Sequence, residues 1–244
     1  MMFRLSDEVR AAFPDTRIAF LVAVGVRLDR PWRAAEAGLA ELEHRCQAGE
    51  WSPPGEDDDR ITPWHQAYRS FGVNPRRVSP SVDSLYRRLA RSGRLPRISG
   101  AVDAYNLISV QHGFPAGAFD LANIVGDVSI RFARDGDVFS PLGEPDTVEH
   151  AGRREVVYAD DKSVLTRCWN HRDADRTKVT ASSRAVVFIL ETLTAEQHGR
   201  ALAEAAAQLA DIVADNSASV RTMFVDQSAP EACVTQPSTC TSLG

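Results

Sequence analysis

Cysteine is scarce in this 244-residue chain, and its placement follows no pattern. The four cysteines form no CxxC pair, and no group of cysteine and histidine has the spacing of zinc ligands. We therefore expect reduced thiols and no bound metal. No apolar run reaches the roughly 20 residues of a membrane span, and the first residues lack the apolar core of a secretory signal. The sequence thus predicts a cytoplasmic protein that does not contact a membrane.

Several catalytic motifs are also missing. The chain contains no GxGxxG, no P-loop, no HExxH and no nucleophile elbow, and its six histidines have no adjacent nucleophile pattern. These absences argue against dinucleotide and nucleoside-triphosphate chemistry, against a zinc hydrolase and against a Ser-His-Asp triad. No cofactor is predicted.

A global excess of basic charge is absent too, since the net charge is −5. This balance argues against a strongly basic nucleic-acid binder. A local excess is nevertheless present within residues 76–97. Such a cluster either meets phosphates or forms the solvated face of a helix, and composition leaves both alternatives open. The arginines concerned are Arg76, Arg77, Arg87, Arg88, Arg91, Arg94 and Arg97.

The hydrophobic spacing predicts both strands and helices. A β-rich apolar run at 17–26 is typical of a buried strand, and apolar residues recur at helical spacing over 32–47 and 62–72. An Ala-rich amphipathic helix is predicted after Thr194, and a last strand at 219–225. The content of 43% apolar and 25% charged residues is typical of a globular protein with a full core.

Three segments are expected along the chain. Residues 1–60 are interpreted as a strand-helix extension of the same domain that residues 61–226 form. Residues 227–244 are rich in Ser, Thr and Pro and are predicted to be a disordered tail. In the helix at 62–72, His65 lies off the apolar face, so we expect a surface histidine.

The densest group of functional side chains lies at 169–180, between strand-like runs at 156–159 and 185–190. It reads W-N-H-R-D-A-D-R-T-K-V-T. The stretch combines an aromatic ring, an amide, a histidine, three cations, two carboxylates and two hydroxyls. A polar loop held between buried strands is a common place for binding and catalysis. The alternative is a charged surface loop without a function, and composition alone does not decide between them.

Six further segments occur in one order and at consistent spacing. They are V-D-A-Y-N-L-I-S at 102–109, F-P-A-G-A-F-D-L at 114–121, I-R-F-A-R-D-G-D at 130–137, P-L-G-E at 141–144, V-Y-A-D-D at 157–161 and R-C-W-N-H-R-D-A-D-R-T-K-V-T at 167–180. Together they resemble the editing domain of the phenylalanyl-tRNA synthetase β subunit, its paired B-three and B-four region. The free-standing proteins made of that domain are more similar still, and the resemblance covers residues 60–192.

The resemblance implies an α+β fold, with a mixed or antiparallel sheet flanked by helices. It also implies hydrolysis of wrongly charged tRNA, with the aminoacylated 3′ end of tRNA as the partner. An aminoacyl ester is already activated, so hydrolysis requires mainly a positioned water and a stabilised oxyanion. We expect Asn170 to donate to that oxyanion. Thr177 or Thr180 would hold the water or the terminal ribose.

The remaining predicted roles concern substrate and tRNA. Asp175 is expected to orient Arg172 or Arg176 toward a tRNA phosphate, and Arg87 and Arg88 are expected to dock the tRNA. For each residue of the pocket, the alternative is a buried polar network that only fixes the loop. The residues predicted to bind substrate are Asp103, Asn106, Gly117, Trp169, Arg172, Asp175, Arg176 and Glu191.

The chain departs from the synthetase pattern within the pocket. Gly117 stands where the synthetase has a histidine, and Ile189 where it has the glutamate that reads a tyrosine hydroxyl, with Glu191 two positions on. Trp169 and Asn170 stand where the synthetase has a small Ala-Gly pair. A bulky Trp at this place implies a different amino-acid cavity, so specificity for tyrosine does not follow.

The leading hypothesis is a stand-alone, metal-independent aminoacyl-tRNA editing hydrolase acting in trans. One alternative is a module that binds tRNA or an amino acid without catalysis, which the replaced histidine and glutamate favour. Another is an enzyme that transfers the aminoacyl group from tRNA to a different acceptor. The sequence does not define the amino acid, the tRNA or the oligomeric state.

Overall fold

The computed structural model describes residues 1–235. Six α-helices and twelve β-strands form within them. The helices are α1 (Asp7–Ala12), α2 (Arg33–Gln47), α3 (Thr62–Ser70), α4 (Ser81–Ser92), α5 (Gly100–His112) and α6 (Ala195–Ala214). The strands are β1 (Met2–Leu5), β2 (Arg17–Val24), β3 (Ala116–Asp120), β4 (Val128–Phe132), β5 (Val138–Phe139), β6 (Glu149–His150), β7 (Val156–Ala159), β8 (Val164–Arg167), β9 (Arg172–Asp173), β10 (Ala185–Thr192), β11 (Ser219–Asp226) and β12 (Glu231–Cys233).

The strands form two main sheets. A four-stranded sheet has the order β11-β2-β10-β3, and all of its neighbours run antiparallel. A six-stranded sheet has the order β12-β1-β4-β7-β8-β9 and is mixed, because β1 and β4 are parallel. Strands β5 and β6 pair separately. The predicted α+β class with a mixed sheet is therefore confirmed.

The four-stranded sheet lies between two hydrophobic layers. Phe20 of β2 belongs to a cluster that includes residues of β1, β4, β7 and β8. Leu21, the next residue, belongs to a second cluster formed with α2, α5 and α6. Successive side chains of a strand point to opposite faces, so this alternation places the six-stranded sheet on one side and the helices on the other. A sheet buried on both faces explains why residues 18–24 are apolar without interruption.

Most of the predicted elements form at the expected places. The strand predicted at 17–26 is observed as Arg17–Val24 and the helix predicted at 32–47 as Arg33–Gln47. Strand β2 ends at Val24, and the next residue, Gly25, has a φ of 69°, in the left-handed region that favours glycine. Within residues 1–235, no helix has both the length and the apolar character needed to cross a membrane.

Two predictions need correction. His65 is 2% exposed rather than on the surface, since Asp83 of α4 lies against it with an Nε2–Oδ2 distance of 3.0 Å. Helical periodicity predicts a single buried face of α3, but α4 also covers part of the opposite face of that helix. The predicted disordered segment at 227–244 is wrong at its start, because β12 pairs with β1. Residues 236–244 lie outside the described part of the chain.

Candidate binding pocket

A cavity of about 210 Å³ opens where both sheets meet α4 and α5. Strands β3 and β10 form one wall, and β7, β8, β9 and the β8–β9 connection form another. The side chains that line it are Ser81, Ser84, Leu85, Tyr105, Asn106, Ala116, Gly117, Phe119, Tyr158, Thr166, Trp169, Asn170, His171, Asp173, Ile189 and Glu191. The pocket therefore gathers residues from seven separate elements and one loop.

Strand geometry explains how Glu191 enters the pocket. Side chains two residues apart on a strand share a face, so Ile189 and Glu191 point the same way. Both line the cavity. The backbone N–H of Glu191 donates to the Pro115 carbonyl, which secures the end of β10 beside β3. Glu191 is only 2% exposed, and its carboxyl group thus lies in the cavity wall, shielded from bulk water.

Three donors converge on the Glu191 carboxylate. The Tyr158 hydroxyl and Trp169 Nε1 both donate to Oε1, the latter over 3.0 Å. Asn170 Nδ2 donates to Oε2 over 2.9 Å. The Tyr68 hydroxyl in turn donates to Asn170 Oδ1 over 3.0 Å. This chain fixes the orientation of the Asn170 amide, because its nitrogen can only donate and its oxygen can only accept.

The connection after β8 has an unusual backbone that sets the position of Trp169. Cys168 and Trp169 have φ values of 45° and 63°, a left-handed conformation that non-glycine residues seldom adopt. The Trp169 ring is fully buried and meets Phe13 and Trp64 edge-on, with centroids 5.0 and 5.3 Å apart. Aromatic packing and the bond to Glu191 together hold this strained turn.

Burial shifts the acidity of both carboxylic acids of the pocket. Burial raises the pKa of Glu191 to about 7, although the bonds from Tyr158, Asn170 and Trp169 oppose the rise. Burial also raises the pKa of Asp173 to about 6, opposed by the Thr166 hydroxyl, which donates to Asp173 Oδ1 over 2.9 Å. The negative charge of Asp173 further raises the pKa of Glu191. Such shifts are concentrated at functional sites.

The raised pKa of Glu191 predicts a stability change with pH. The folded state holds this proton more tightly than the unfolded state, whose value is near 4.5. A penalty for the buried charge is therefore absent below pH 4.5 and complete above about pH 7. We expect Glu191→Gln to be more stable than the wild type at pH 8, with the advantage shrinking at pH 5. Urea unfolding of both proteins at each pH measures this difference.

The comparison between the two proteins cancels the contribution of titrating groups that do not interact with Glu191; Asp173, which does, contributes to the difference. Glutamine can preserve the network, since the Asn170 amide can turn over and the Tyr68 hydroxyl can accept as well as donate. A constant stability difference across this pH range would contradict the assigned pKa.

Asn106 and His171 present further polar groups. Within residues 1–235 the Asn106 amide makes no hydrogen bond, although it is 7% exposed and faces the pocket. His171 Nδ1 lies 2.9 Å from the Ser79 carbonyl, to which it donates. The bond directs the imidazole edge bearing Nε2 away from Ser79. Asn106 thus keeps free donors and an acceptor for a ligand.

The pocket brings together five of the predicted residues: Asn106, Gly117, Trp169, Asn170 and Glu191. Asp103 is not among them, since it accepts a bond of 2.9 Å from the backbone of Ile98 before α5. Its role is therefore to hold the start of that helix.

The predicted pairing of Asp175 with an arginine is wrong. Asp175 accepts from Lys178 Nζ over 2.8 Å and from the backbone of Gly143. Arg172 binds Glu144 over 2.7 Å, and Arg176 binds Asp160 over 2.8 Å. Arg172 points away from the pocket because its neighbour on β9, Asp173, points into it, and the chain leaves the pocket after Asp173, so both arginines meet carboxylates elsewhere in the fold.

The two threonines also lie outside the pocket. Thr177 is fully buried beside Asp120, whose backbone N–H donates to the Thr177 carbonyl over 2.9 Å. The Thr180 hydroxyl lies 2.8 Å from that of Ser182. Neither hydroxyl lines the cavity, and the structure gives no support to their predicted contact with water or ribose.

Several pocket residues were not predicted as functional. Asp173 lies in the polar stretch at 169–180, where its strand position could have marked it, because β9 pairs Asp173 with Thr166. Tyr158 lies in the apolar run of β7, and Tyr68 lies on the apolar face of α3. Nothing in the local sequence separates these two from ordinary core tyrosines.

Among residues 1–235, no group of three or more His, Cys, Asp or Glu side chains is arranged to hold a metal ion.

The arginines of α4 divide into two kinds. Arg87 donates to the buried Asp83 over 2.7 Å and to the backbone carbonyls of Arg76 and Pro75. Arg88 is exposed and makes no ion pair or hydrogen bond through its guanidinium within the described residues. Arg87 therefore supports the fold, whereas Arg88 is available to a ligand.

Comparison with known proteins gives a family and several relatives with similar sequences. Residues 63–209 match the B3/4 domain family. The chain is 38% identical over 100 residues to the phenylalanine–tRNA ligase beta subunit of Nocardia farcinica, which is 41% of this chain and 11% of that protein. It is 43% identical over 94 residues to the same subunit of Chromobacterium violaceum, again 11% of that protein.

Among solved structures, an N-terminal fragment of the phenylalanyl-tRNA synthetase beta subunit from Pyrococcus horikoshii is similar. The two have a TM-score of 0.40 at 13% identity, over 84% of this chain and 48% of that one. In length, the chain spans about a tenth of the phenylalanine–tRNA ligase beta subunits it matches.

Proposed function

The chain belongs to the B3/4 domain family, and from this membership we propose that it is a stand-alone aminoacyl-tRNA editing hydrolase, which releases the amino acid from wrongly charged tRNA. The observation that carries the proposal is the convergence of Asn106, Gly117, Trp169, Asn170 and Glu191 on one cavity. They come from α5, β3, the β8–β9 connection and β10. A pocket with convergent polar groups and perturbed acids is the usual form of a binding site.

The proposed reaction is the hydrolysis of an activated ester. Water adds to the carbonyl carbon, and the resulting oxyanion collapses with cleavage of the bond to the ribose oxygen, which ends with a proton from the water. The free Asn106 amide and the second N–H of Asn170 are placed to donate to the oxyanion. Fixed donors stabilise developing charge without reorganisation, and each is worth roughly a hundredfold or more in rate. Tyr68 is the positioning residue that orients Asn170.

Helix α4 provides a path for the nucleic acid toward this pocket. Ser84 lines the cavity, and Arg88 and Arg91 follow at the four- and seven-residue spacing that keeps side chains on one helix face. Arg88 and Arg91 are both exposed. At 1.5 Å per residue, the stripe extends about 10 Å from the pocket, which suits the phosphates next to a bound 3′ end.

Single variants separate these arginines. We expect Arg88→Ala to weaken tRNA binding and to lower the slope of log affinity against log salt by about 0.7–0.9, with unchanged stability. Arg87→Ala should instead lower the free energy of unfolding by about 1–3 kcal/mol, because Asp83 loses a charged partner. Filter binding at several salt concentrations and urea unfolding measure the two effects. Equal salt slopes for Arg88→Ala and the wild type would show that Arg88 does not contact a tRNA phosphate, and would contradict the proposed path along α4.

The proposed function is tested with a panel of charged tRNAs, scored for release of labelled amino acid. We expect one or a few to be deacylated, and Asn106→Ala to slow this about a hundredfold. Asn74→Ala is the matched control, because Asn74 lies in an exposed turn where it binds only the backbone of Arg76. A shifted tRNA band without release of label would indicate a binding module. Label in a new product would indicate transfer to another acceptor.

A further inference from the structure

The charge of the pocket is unbalanced. Asp173 and Glu191 both line it, and no Lys or Arg of residues 1–235 does. The titratable groups that share the wall are Tyr105, Tyr158 and His171. A buried carboxylate is costly unless it is paired or hydrogen-bonded. The pocket thus holds two carboxyl groups without a cationic partner from the protein, and a cationic ligand would favour the ionised form of both.

Neither carboxylate is saturated by the protein. Thr166 occupies Asp173 Oδ1, and within the described residues no donor reaches Oδ2. The absence of a side chain at Gly117 leaves the space beside that oxygen open, since an added Cβ would lie 3.8 Å from it, in van der Waals contact. Glu191 Oε2 has a single donor, Asn170. Each oxygen accepts two hydrogen bonds, so both carboxylates retain capacity for a donor inside the cavity.

The remaining walls also suit a cation. Four aromatic side chains line the cavity, namely Tyr105, Phe119, Tyr158 and Trp169. The faces of aromatic rings carry partial negative charge and attract ammonium groups. Carboxylates combined with aromatic walls recognise an organic cation. His171 also lines the cavity, but no group of three His, Cys, Asp or Glu side chains among the described residues is arranged to hold a metal ion.

We infer that the pocket recognises an aminoacyl group whose side chain carries a positive charge, an inference that rests on the proposed function and names its substrate class. Every aminoacyl ester has one ammonium group, at its α-carbon. One ammonium balances one of the two carboxylates and leaves the other unpaired. A cationic side chain supplies the second positive charge. The ligand then carries one positive charge for each of the two carboxylates in the cavity wall.

A matched pair of small molecules tests the inference without hydrolysis. L-lysinamide and L-norleucinamide have the same carbon chain and differ in the terminal ammonium. Calorimetric titration at about pH 8, above the pKa of both carboxyl groups, gives both affinities. We expect lysinamide to bind roughly tenfold to a hundredfold more tightly, the value of one or two charge-assisted hydrogen bonds. Asp173→Asn and Glu191→Gln should each reduce this ratio.

Glu204→Gln is the matched control, because Glu204 is exposed on α6 and pairs only with Arg200. It should leave the ratio unchanged. Equal affinities for the two amides in the wild type would overturn the inference. So would an unchanged ratio in Asp173→Asn and Glu191→Gln, once thermal unfolding has shown both to be folded.

Deacylation of lysyl-tRNA and methionyl-tRNA separates this inference from the proposed function. A preference for lysyl-tRNA supports both. Deacylation of both tRNAs at one rate, with equal amide affinities, supports the hydrolase and overturns cation selection. A lysinamide preference without deacylation of any charged tRNA supports the cation pocket and overturns the hydrolase.

Discussion

Replacing Asn170 by alanine is expected to slow deacylation of a charged tRNA by roughly a hundredfold or more. Its amide lies in the pocket with Oδ1 held by Tyr68 and one N–H held by Glu191, so the second N–H has a defined direction. The variant removes that donor and leaves the aromatic walls in place. Single-turnover rates with one charged tRNA measure the loss, and the choice among tRNAs should remain the same.

Two further measurements identify the origin of the loss. Asn170→Ala also removes a donor from Glu191, which should raise the pKa of that residue further, so rates are compared at pH 8 as well as near neutrality. Tyr68→Phe keeps the amide but releases its orientation, and its effect should be smaller. If a folded Asn170→Ala variant has the rate of the wild type, the β8–β9 connection has only a structural role, and the oxyanion is bound by other residues.

Truncation of Trp169 is expected to have the largest effect on stability. Loss of a fully buried Trp typically costs about 3–5 kcal/mol of unfolding free energy. Trp169→Ala removes the ring contacts with Phe13 and Trp64 and the N–H that binds Glu191. The emptied volume adjoins the pocket, so we also expect bulkier aminoacyl groups to be accepted. Urea unfolding and the panel of charged tRNAs measure these two changes separately.

Controls distinguish volume from hydrogen bonding. Trp169→Phe keeps one six-membered ring and loses the five-membered ring with its N–H, so its specificity should change less than that of Trp169→Ala. Trp51→Ala removes a partly buried Trp that contacts Tyr86 in a separate cluster, and it should change stability without changing specificity. If folded Trp169→Ala keeps the specificity of the wild type, Trp169 does not define the cavity.

The predicted residues that line the pocket were identified mainly through the resemblance to the editing domain, and local periodicity explains how some of them point into it. Asn106 lies on α5, Gly117 on β3 and Glu191 on β10. The strand-like run at 185–190 is part of β10, and the alternation along that strand brings Glu191 to the pocket together with Ile189. Helical and strand periods are properties of short segments, so they can be recognised without knowledge of the fold.

Predictions failed where a side chain has partners far away in the sequence. Arg172 binds Glu144 and Arg176 binds Asp160, and no spacing within 169–180 indicates either pair. Thr177 is buried because the chain turns beneath Asp120. The role of Tyr68 depends on Asn170, which lies 102 residues later. Such contacts exist only after the two sheets have packed, and one sequence does not encode them in any local pattern.

Strand β10 has one more consequence for the pocket. Positions 189 and 191 share a face, and at about 3.3 Å per residue they lie about 7 Å apart along the cavity wall. A carboxylate at either position would therefore meet a ligand group at a different depth. We therefore expect the position of the carboxylate along β10 to determine how long a substrate side chain must be to reach it. The double exchange Ile189→Glu, Glu191→Ile would change that length and leave the total charge of the site the same.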